Sequence, residues 1–215
     1  STSDRVAFHR YTFPKIAEKY VMINLKDANG DDRPTDTYLE QVNDTTVRGY
    51  RCSTGWSKQQ QVYFTAVFSE PVHLALYHDS ISVQGSILQG VDVKGNIIVA
   101  SDVEKLDMKV GISPVSMENA AANIQQEIAD WNFERIVGET TAKWNAELSK
   151  LQVTTTDTVA KRIFYTALYH AFIQPTMFND YNKEYRGTDK NVYGDPGFTN
   201  YTVFSLWDTY RAARS

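Results

Sequence analysis

The chain has one cysteine, Cys52, which excludes an intramolecular disulfide and any zinc site built from cysteine pairs. Cys52 therefore reads as a small strand residue, and a lone thiol leaves the redox compartment open. Histidine is scarce as well: His9, His73, His78 and His170 are dispersed, with no metal-ligand spacing among them. No apolar run approaches the roughly eighteen residues that a membrane-spanning helix needs, and the mean hydropathy is −0.43. Basic charge is thin, with 22 Lys and Arg against 26 Asp and Glu. These cations are scattered, so no electrostatic footprint for a phosphate backbone exists and nucleic acid is excluded as a partner. There is no Gly-rich phosphate loop, no Gly-x-Ser-x-Gly elbow and no His-Glu-x-x-His pair, which removes nucleotide-dependent enzymes, elbow-type serine hydrolases and zincins. No charged-then-apolar leader follows Ser1, so a processed or trimmed N-terminus is expected.

What remains is ordinary globular composition, 42% hydrophobic and 22% charged over 215 residues, enough for one domain of good size or two small ones. The first half alternates Val, Ile, Tyr, Phe and Thr in short segments and predicts strands at 6–13, 20–26, 37–42, 46–52, 60–68, 72–78, 82–91, 96–103 and 105–112. Turn chemistry separates them at Ala28-Asn29-Gly30-Asp31, Ser53-Thr54-Gly55-Trp56 and Lys94-Gly95-Asn96. Strands at this spacing without helices between them predict an antiparallel β-sandwich.

The period then changes. Met117, Ala120, Ile124 and Ile128 recur at helical spacing behind Ser116, a suitable N-cap. Phe133, Val137, Trp144, Leu148 and Leu151 predict one face of a longer amphipathic helix, weakened by Gly138. Asp157 caps a third helix over 159–173 that is apolar nearly all round after Arg162, and so is expected to be enclosed by protein on every side. A polar stretch of some twenty residues follows from 179 to 200, a length usually associated with function. Strands first and helices afterwards make the chain α+β and multidomain. The expected division is a sandwich over 1–112, a helical linker over 113–153, and the first part of a helical domain over 154–215, stopping partway into a helix.

Two clusters carry candidate chemistry. The loop from Phe178 to Asp189 crowds carboxylates, amides, phenols and a guanidinium, including Asp180 and Arg186. That mixture suits a polyhydroxylated ligand: carboxylates accept from vicinal hydroxyls, arginine donates in a planar fork, and aromatic faces meet the C–H side of a sugar ring. A solvated loop is the equal alternative. As a helix-loop-helix calcium motif the same loop fails, because Tyr185 stands where glycine is required and Asn191 where a bidentate glutamate is required. Trp207 and Asp208 form the second cluster, with Arg211 near enough along a helix to gather with them. The alternative there is a core indole and a surface ion pair. Trp56 is expected to cover the sandwich edge, with a ligand-facing loop aromatic as the alternative. Trp131 and Trp144 read as packing, and His170 as a hydrogen-bonded core histidine ahead of a catalytic base.

Taken together, Arg5-Val6-Ala7-Phe8, Val110-Gly111-Ile112-Ser113, Glu118-Asn119-Ala120, Phe164-Tyr165-Thr166-Ala167-Leu168-Tyr169-His170, Tyr185-Arg186-Gly187 and above all Phe204-Ser205-Leu206-Trp207-Asp208-Thr209-Tyr210-Arg211-Ala212 resemble glycoside hydrolase family 92. The resemblance implies an N-terminal β-sandwich, a helical linker and a C-terminal (α/α)6 barrel. It further implies an exo-acting, inverting, calcium-dependent α-mannosidase, directed at α-1,2 linkages, of the bacterial periplasm or exterior. Its substrate would be a mannose-containing oligosaccharide such as an N-glycan or mannan. The family's catalytic Glu and Asp fall beyond the Trp-Asp-Thr motif, so no catalytic residue is expected in this chain, most calcium ligands are expected elsewhere, and the chain alone is expected to be inactive. The resemblance carries substrate binding onto Trp207, Asp208 and Arg211, with Asp180 and Arg186 bordering the same pocket. Two other functions are kept open: a noncatalytic carbohydrate-binding sandwich, and a glycoside phosphorylase of helical-barrel type.

Overall fold

The computed structural model describes residues 1–15 and 18–202. Ten strands come first: β1 (Val6–Thr12), β2 (Lys19–Asn24), β3 (Arg33–Asn43), β4 (Thr46–Thr54), β5 (Gln60–Phe68), β6 (Val72–His78), β7 (Ile81–Val83), β8 (Ile87–Gly90), β9 (Val93–Val99) and β10 (Lys105–Ser113). They form two antiparallel sheets, ordered β1-β10-β5-β4-β3-β8 and β2-β9-β6-β7. Alternation places Leu39, Val47, Ala66, Phe68, Leu106 and Met108 of the first sheet against Leu74, Leu76, Val93, Ile97 and Val99 of the second, in one apolar core.

Two sequence expectations change here. The predicted strand at 82–91 is two strands, because β7 pairs with β6 while β8 pairs with β3 in the other sheet. Gly85, at φ +129°, lies between them where the chain changes sheets. Gly95 is not a turn residue. It sits inside β9, paired with Ile23 and Leu76, where an added Cβ would run into the side chains of Leu39 and Leu74. A missing side chain, and not a special backbone angle, lets the two sheets close at that point.

The outer face of the six-stranded sheet is covered on its β1–β10 side. Helix α1 (Met117–Glu127) starts at Ser116, whose hydroxyl accepts from Asn119 N at 3.0 Å. It lies against β10 because Gly111 has no Cβ; one there would meet Ala120 O and Ile124. Ile124 and Ile128 join Val6, Phe8 and Ile136 in a second apolar cluster. Lys109 Nζ, buried beneath this helix end, donates to Ile128 O at 3.1 Å and Ala129 O at 3.2 Å and lies 4.0 Å from the Trp131 ring centroid. It thereby satisfies carbonyls at the helix end, while burial draws its pKa below the ordinary lysine value.

Helix α2 (Phe133–Leu148) is tied to the sheet by Arg10, which holds Asp107 through two bonds of 2.7 and 2.8 Å and Glu134 at 2.6 Å, over the Phe133 ring. Ile136 is the buried residue of α2, with Phe133 packed beside it; of the predicted stripe, Val137 is 41% exposed and Leu151 lies beyond the helix. Helix α3 (Thr158–Phe172) is capped by Asp157, which accepts from Val159 N and Ala160 N. Among the described residues nothing encloses it: none of its residues is buried, and it meets α2 through Trp144 and Tyr169, ring centroids 4.6 Å apart. His170 is exposed rather than a core histidine. Among the described residues no helix is long and apolar enough to cross a membrane.

The two glycines near the helices predict opposite outcomes. Gly111→Ala should destabilise the chain by about 1–3 kcal/mol, since the added methyl displaces α1. Gly138→Ala, with open space around the site, should stabilise it by about 0.5–1 kcal/mol. Denaturant midpoints of both variants check this.

Candidate functional site

The polar stretch after α3 is not loosely attached. Asp180 is 1% exposed, and its carboxyl oxygens are taken by Ser113 Oγ at 2.6 Å, Asn119 Nδ2 at 2.8 Å and Asn123 Nδ2 at 2.9 Å. Each partner is itself engaged elsewhere. Ser113 Oγ accepts from Val115 N and Ser116 N at the start of α1, Asn123 Nδ2 also donates to Ile112 O, and Asn119 Nδ2 also reaches Glu184 at 2.7 Å. Tyr181 N donates to Asn123 Oδ1 at 2.9 Å, and the turn closes through Lys183 N to Asp180 O and Asp180 N to Glu184 O. Lys183 takes φ +69° to make that turn.

A second clamp stands beside this one. Arg5 donates through Nη1 to Glu127 and through Nε to Asn179 O, both at 2.5 Å, while Ser3 Oγ and Arg5 N donate to the other Glu127 oxygen. Arg186 forms a third, donating to Pro114 O at 2.9 Å, Val115 O at 3.2 Å and Lys190 O at 2.8 Å, with its guanidinium 6.0 Å from the Tyr63 ring centroid. Asn119, Asn123 and Glu127 stand four residues apart along α1, a polar stripe beside the apolar stripe of Ala120, Ile124 and Ile128. That doubled periodicity is the signal by which the sequence could have revealed the partners of the loop.

Asp180, expected to border a sugar pocket, is turned inward among the described residues: its carboxyl group is buried, and Ser113, Asn119 and Asn123 supply the hydrogen bonds that a buried carboxyl group requires. Arg186 is likewise committed to backbone carbonyls. Both residues position the loop. The groups that face outward are Tyr181, 53% exposed, and the ribbon of β11 (Tyr185–Arg186) and β12 (Val192–Tyr193), where Tyr185 stacks on Tyr193 at 5.5 Å and lies 6.0 Å from Phe198. Trp207, Asp208 and Arg211 lie outside the described residues.

Trp56 differs from its expected role as an edge cover, being 89% exposed. It stands at one end of a cleft of about 740 Å³ lined by Asn29, Asp31, Asp32, Arg33 and Thr54. The loop bearing it presses closely on the β2–β3 connection: a Cβ on Gly55 would come within 2.9 Å of Asp32 Cα. Arg51 holds Asp32 at 2.6 Å from below. A free indole face beside carboxylates and a guanidinium is an arrangement that binds a pyranose ring and its hydroxyls. Among the described residues no group of three or more His, Cys, Asp or Glu gathers that could hold a metal ion.

Two family models match the chain end to end: the glycosyl hydrolase family 92 N-terminal domain over residues 1–113 and the family 92 catalytic domain over residues 119–215. The chain belongs to glycosyl hydrolase family 92. Its fold is similar to the family GH92 alpha-mannosidase BT3965 from Bacteroides thetaiotaomicron, at 32% identity and TM-score 0.91 over 99% of this chain and 30% of that one. The same relative in complex with mannoimidazole matches at 32% identity and TM-score 0.91, over 99% of this chain and 29% of that one. The gh92 family glycosyl hydrolase ccman5 matches at 28% identity and TM-score 0.85, over 96% of this chain and 28% of that one. The family 92 chain thus spans under a third of the length of these relatives. No curated protein matches it.

Asp180→Ala should cost about 2–4 kcal/mol of stability, because Ser113, Asn119 and Asn123 each lose a hydrogen bond at a largely buried site. Asp180→Asn should cost less, because one acceptor oxygen survives. Tyr181→Ala should stay within about 0.5 kcal/mol, as an exposed side chain does. Equilibrium unfolding of the three variants gives the order.

Proposed function

We propose that this chain is the N-terminal part of an exo-acting α-mannosidase and supplies part of its substrate-binding surface. The match to both family 92 models carries the reading, and the relative seen with mannoimidazole supports a mannose-containing oligosaccharide as the ligand. In this reading the enzyme inverts the anomeric centre, prefers α-1,2 linkages of N-glycans or mannan, and works in the bacterial periplasm or outside the cell. An inverting hydrolase needs a general acid at the leaving oxygen and a general base on the opposite face of the sugar, with their carboxyls roughly 6.5–9.5 Å apart. No Glu or Asp of this chain is assigned either role. Among the described residues no group of three or more carboxylates or histidines gathers to hold the calcium ion that the family resemblance implies.

The chain's own contribution is binding and orientation. Trp56 offers its exposed face to the C–H side of a sugar, and Asp31 and Arg33 flank it with an acceptor and donors for hydroxyls. Trp207 and Asp208 hold the terminal mannose, with Arg211 orienting Asp208. A second reading, a carbohydrate-binding sandwich without catalysis of its own, is favoured by one observation: every residue lining the Trp56 cleft belongs to the sandwich.

The test is Asp208→Ala in the intact enzyme, assayed on an α-linked mannobiose. The reading expects kcat/KM to fall at least about tenfold with folding preserved, and an unchanged kcat/KM removes Asp208 from the site. Glycan binding by an isolated 1–113 fragment, together with absence of mannose release by the intact protein, would favour the second reading.

A further inference from the structure

The β11–β12 ribbon carries a contact that its own folding does not require. Lys190, in the turn between the two strands, adopts φ +72°, a left-handed conformation that glycine or asparagine takes more readily. From there its Nζ donates to Gln59 O at 2.7 Å, in the connection between β4 and β5. The turn around it is shaped by other groups: Asp189 accepts from Asn191 N, Asn191 Nδ2 and Tyr193 Oη, and Lys190 N donates to Gly187 O. A glycine at position 190 would therefore make the same turn with less strain, but it would lose the bridge to the sandwich.

The receiving loop is residues 55–59, with Trp56 near one end and Gln59 at the other. Its first end is fixed by the close approach of Gly55 to Asp32, and within it Gly55 N donates to Ser57 O at 2.9 Å. Its second end is fixed from outside by Lys190. The ribbon that supplies Lys190 is itself anchored, through Arg186 to the Pro114 and Val115 carbonyls and through the Asp180 turn to α1. A continuous set of contacts thus runs from the buried carboxyl group of Asp180 to the loop that presents the exposed indole.

We propose that Lys190 is a positioning residue for substrate binding: it latches the 55–59 loop to the β11–β12 ribbon and so fixes the orientation of Trp56. The inference rests on Trp56 touching the substrate, as stated under the proposed function. With the latch in place the indole is held ready to meet a sugar. Without it, the loop end at Gln59 is released and part of the binding free energy goes into ordering it.

The experiment uses the intact enzyme with an α-linked mannobiose and compares Lys190→Gly, Lys190→Ala and Lys190→Arg, the first also combined with Trp56→Ala. Lys190→Gly and Lys190→Ala should each raise KM by about three- to tenfold, the value of one positioning hydrogen bond, with kcat changed less than about twofold. Lys190→Arg should restore KM, since a guanidinium can donate to the same carbonyl. Lys190→Gly should hold or raise Tm while it raises KM, a split that a merely structural role would not produce. In the Trp56→Ala background, Lys190→Gly should add nothing. If Trp56→Ala raises KM but Lys190→Gly leaves it unchanged, or if the two effects multiply, the latch is overturned while the sugar-binding role of Trp56 stands. If Trp56→Ala leaves KM unchanged, the role of Trp56 fails and the latch proposal with it.

Discussion

The buried carboxyl group of Asp180 is the constraint around which the described structure is arranged. A carboxyl group removed from water is costly unless its oxygens are filled by hydrogen bonds, and here Ser113, Asn119 and Asn123 supply them. Those three residues sit at the end of β10 and on the first turns of α1. The polar stretch after α3 can therefore dock in one place only, the junction at which the sandwich becomes helical. Arg5, Glu127 and Arg186 extend the same seam on both sides, so one polar surface sets the relation between strands, linker helices and the loop. Neutral donors around a buried acid give directional contacts, and direction is what an apolar seam would lack.

Much of this fold was legible in the sequence because its signals were local. Alternation marked the strands, and Ser116 and Asp157 announced helix starts that the structure shows with their side chains accepting first-turn amides. The differences arise where tertiary contacts decide. Gly95 looked like a turn residue, yet it is a point of close sheet contact; only the facing side chains of Leu39 and Leu74 reveal this. The segment 82–91 carried one strand pattern and serves two sheets, a choice made by the neighbours β3 and β6. The apolar helix over 159–173 was expected to be enclosed and, among the described residues, is not.

The candidate site shows the same division. Composition drew attention to the loop that contains Asp180 and Arg186, but it could not tell a carboxyl group that meets a ligand from one that meets Asn123. The polar stripe Asn119-Asn123-Glu127 held that information at a spacing of four, hidden by the apolar stripe beside it. Trp56 was misassigned because a tryptophan beside a strand is usually covered, whereas here the loop holds it out over a cleft. The family 92 membership and the structure agree on the architecture: an antiparallel sandwich joined to a helical segment through one polar seam.

The account's central claim is that the Asp180 seam makes the sandwich and the polar loop one cooperative unit. Native-state hydrogen exchange tests it most directly, read at the amides of Asp180, Tyr181 and Lys183 and at the strands of β10 and β5. The account predicts that the three loop amides, bonded to Glu184 O, Asn123 Oδ1 and Asp180 O, share the slow exchange of the sandwich core and lose protection with it as denaturant is added. Fast exchange of those amides beside a protected sandwich would contradict it.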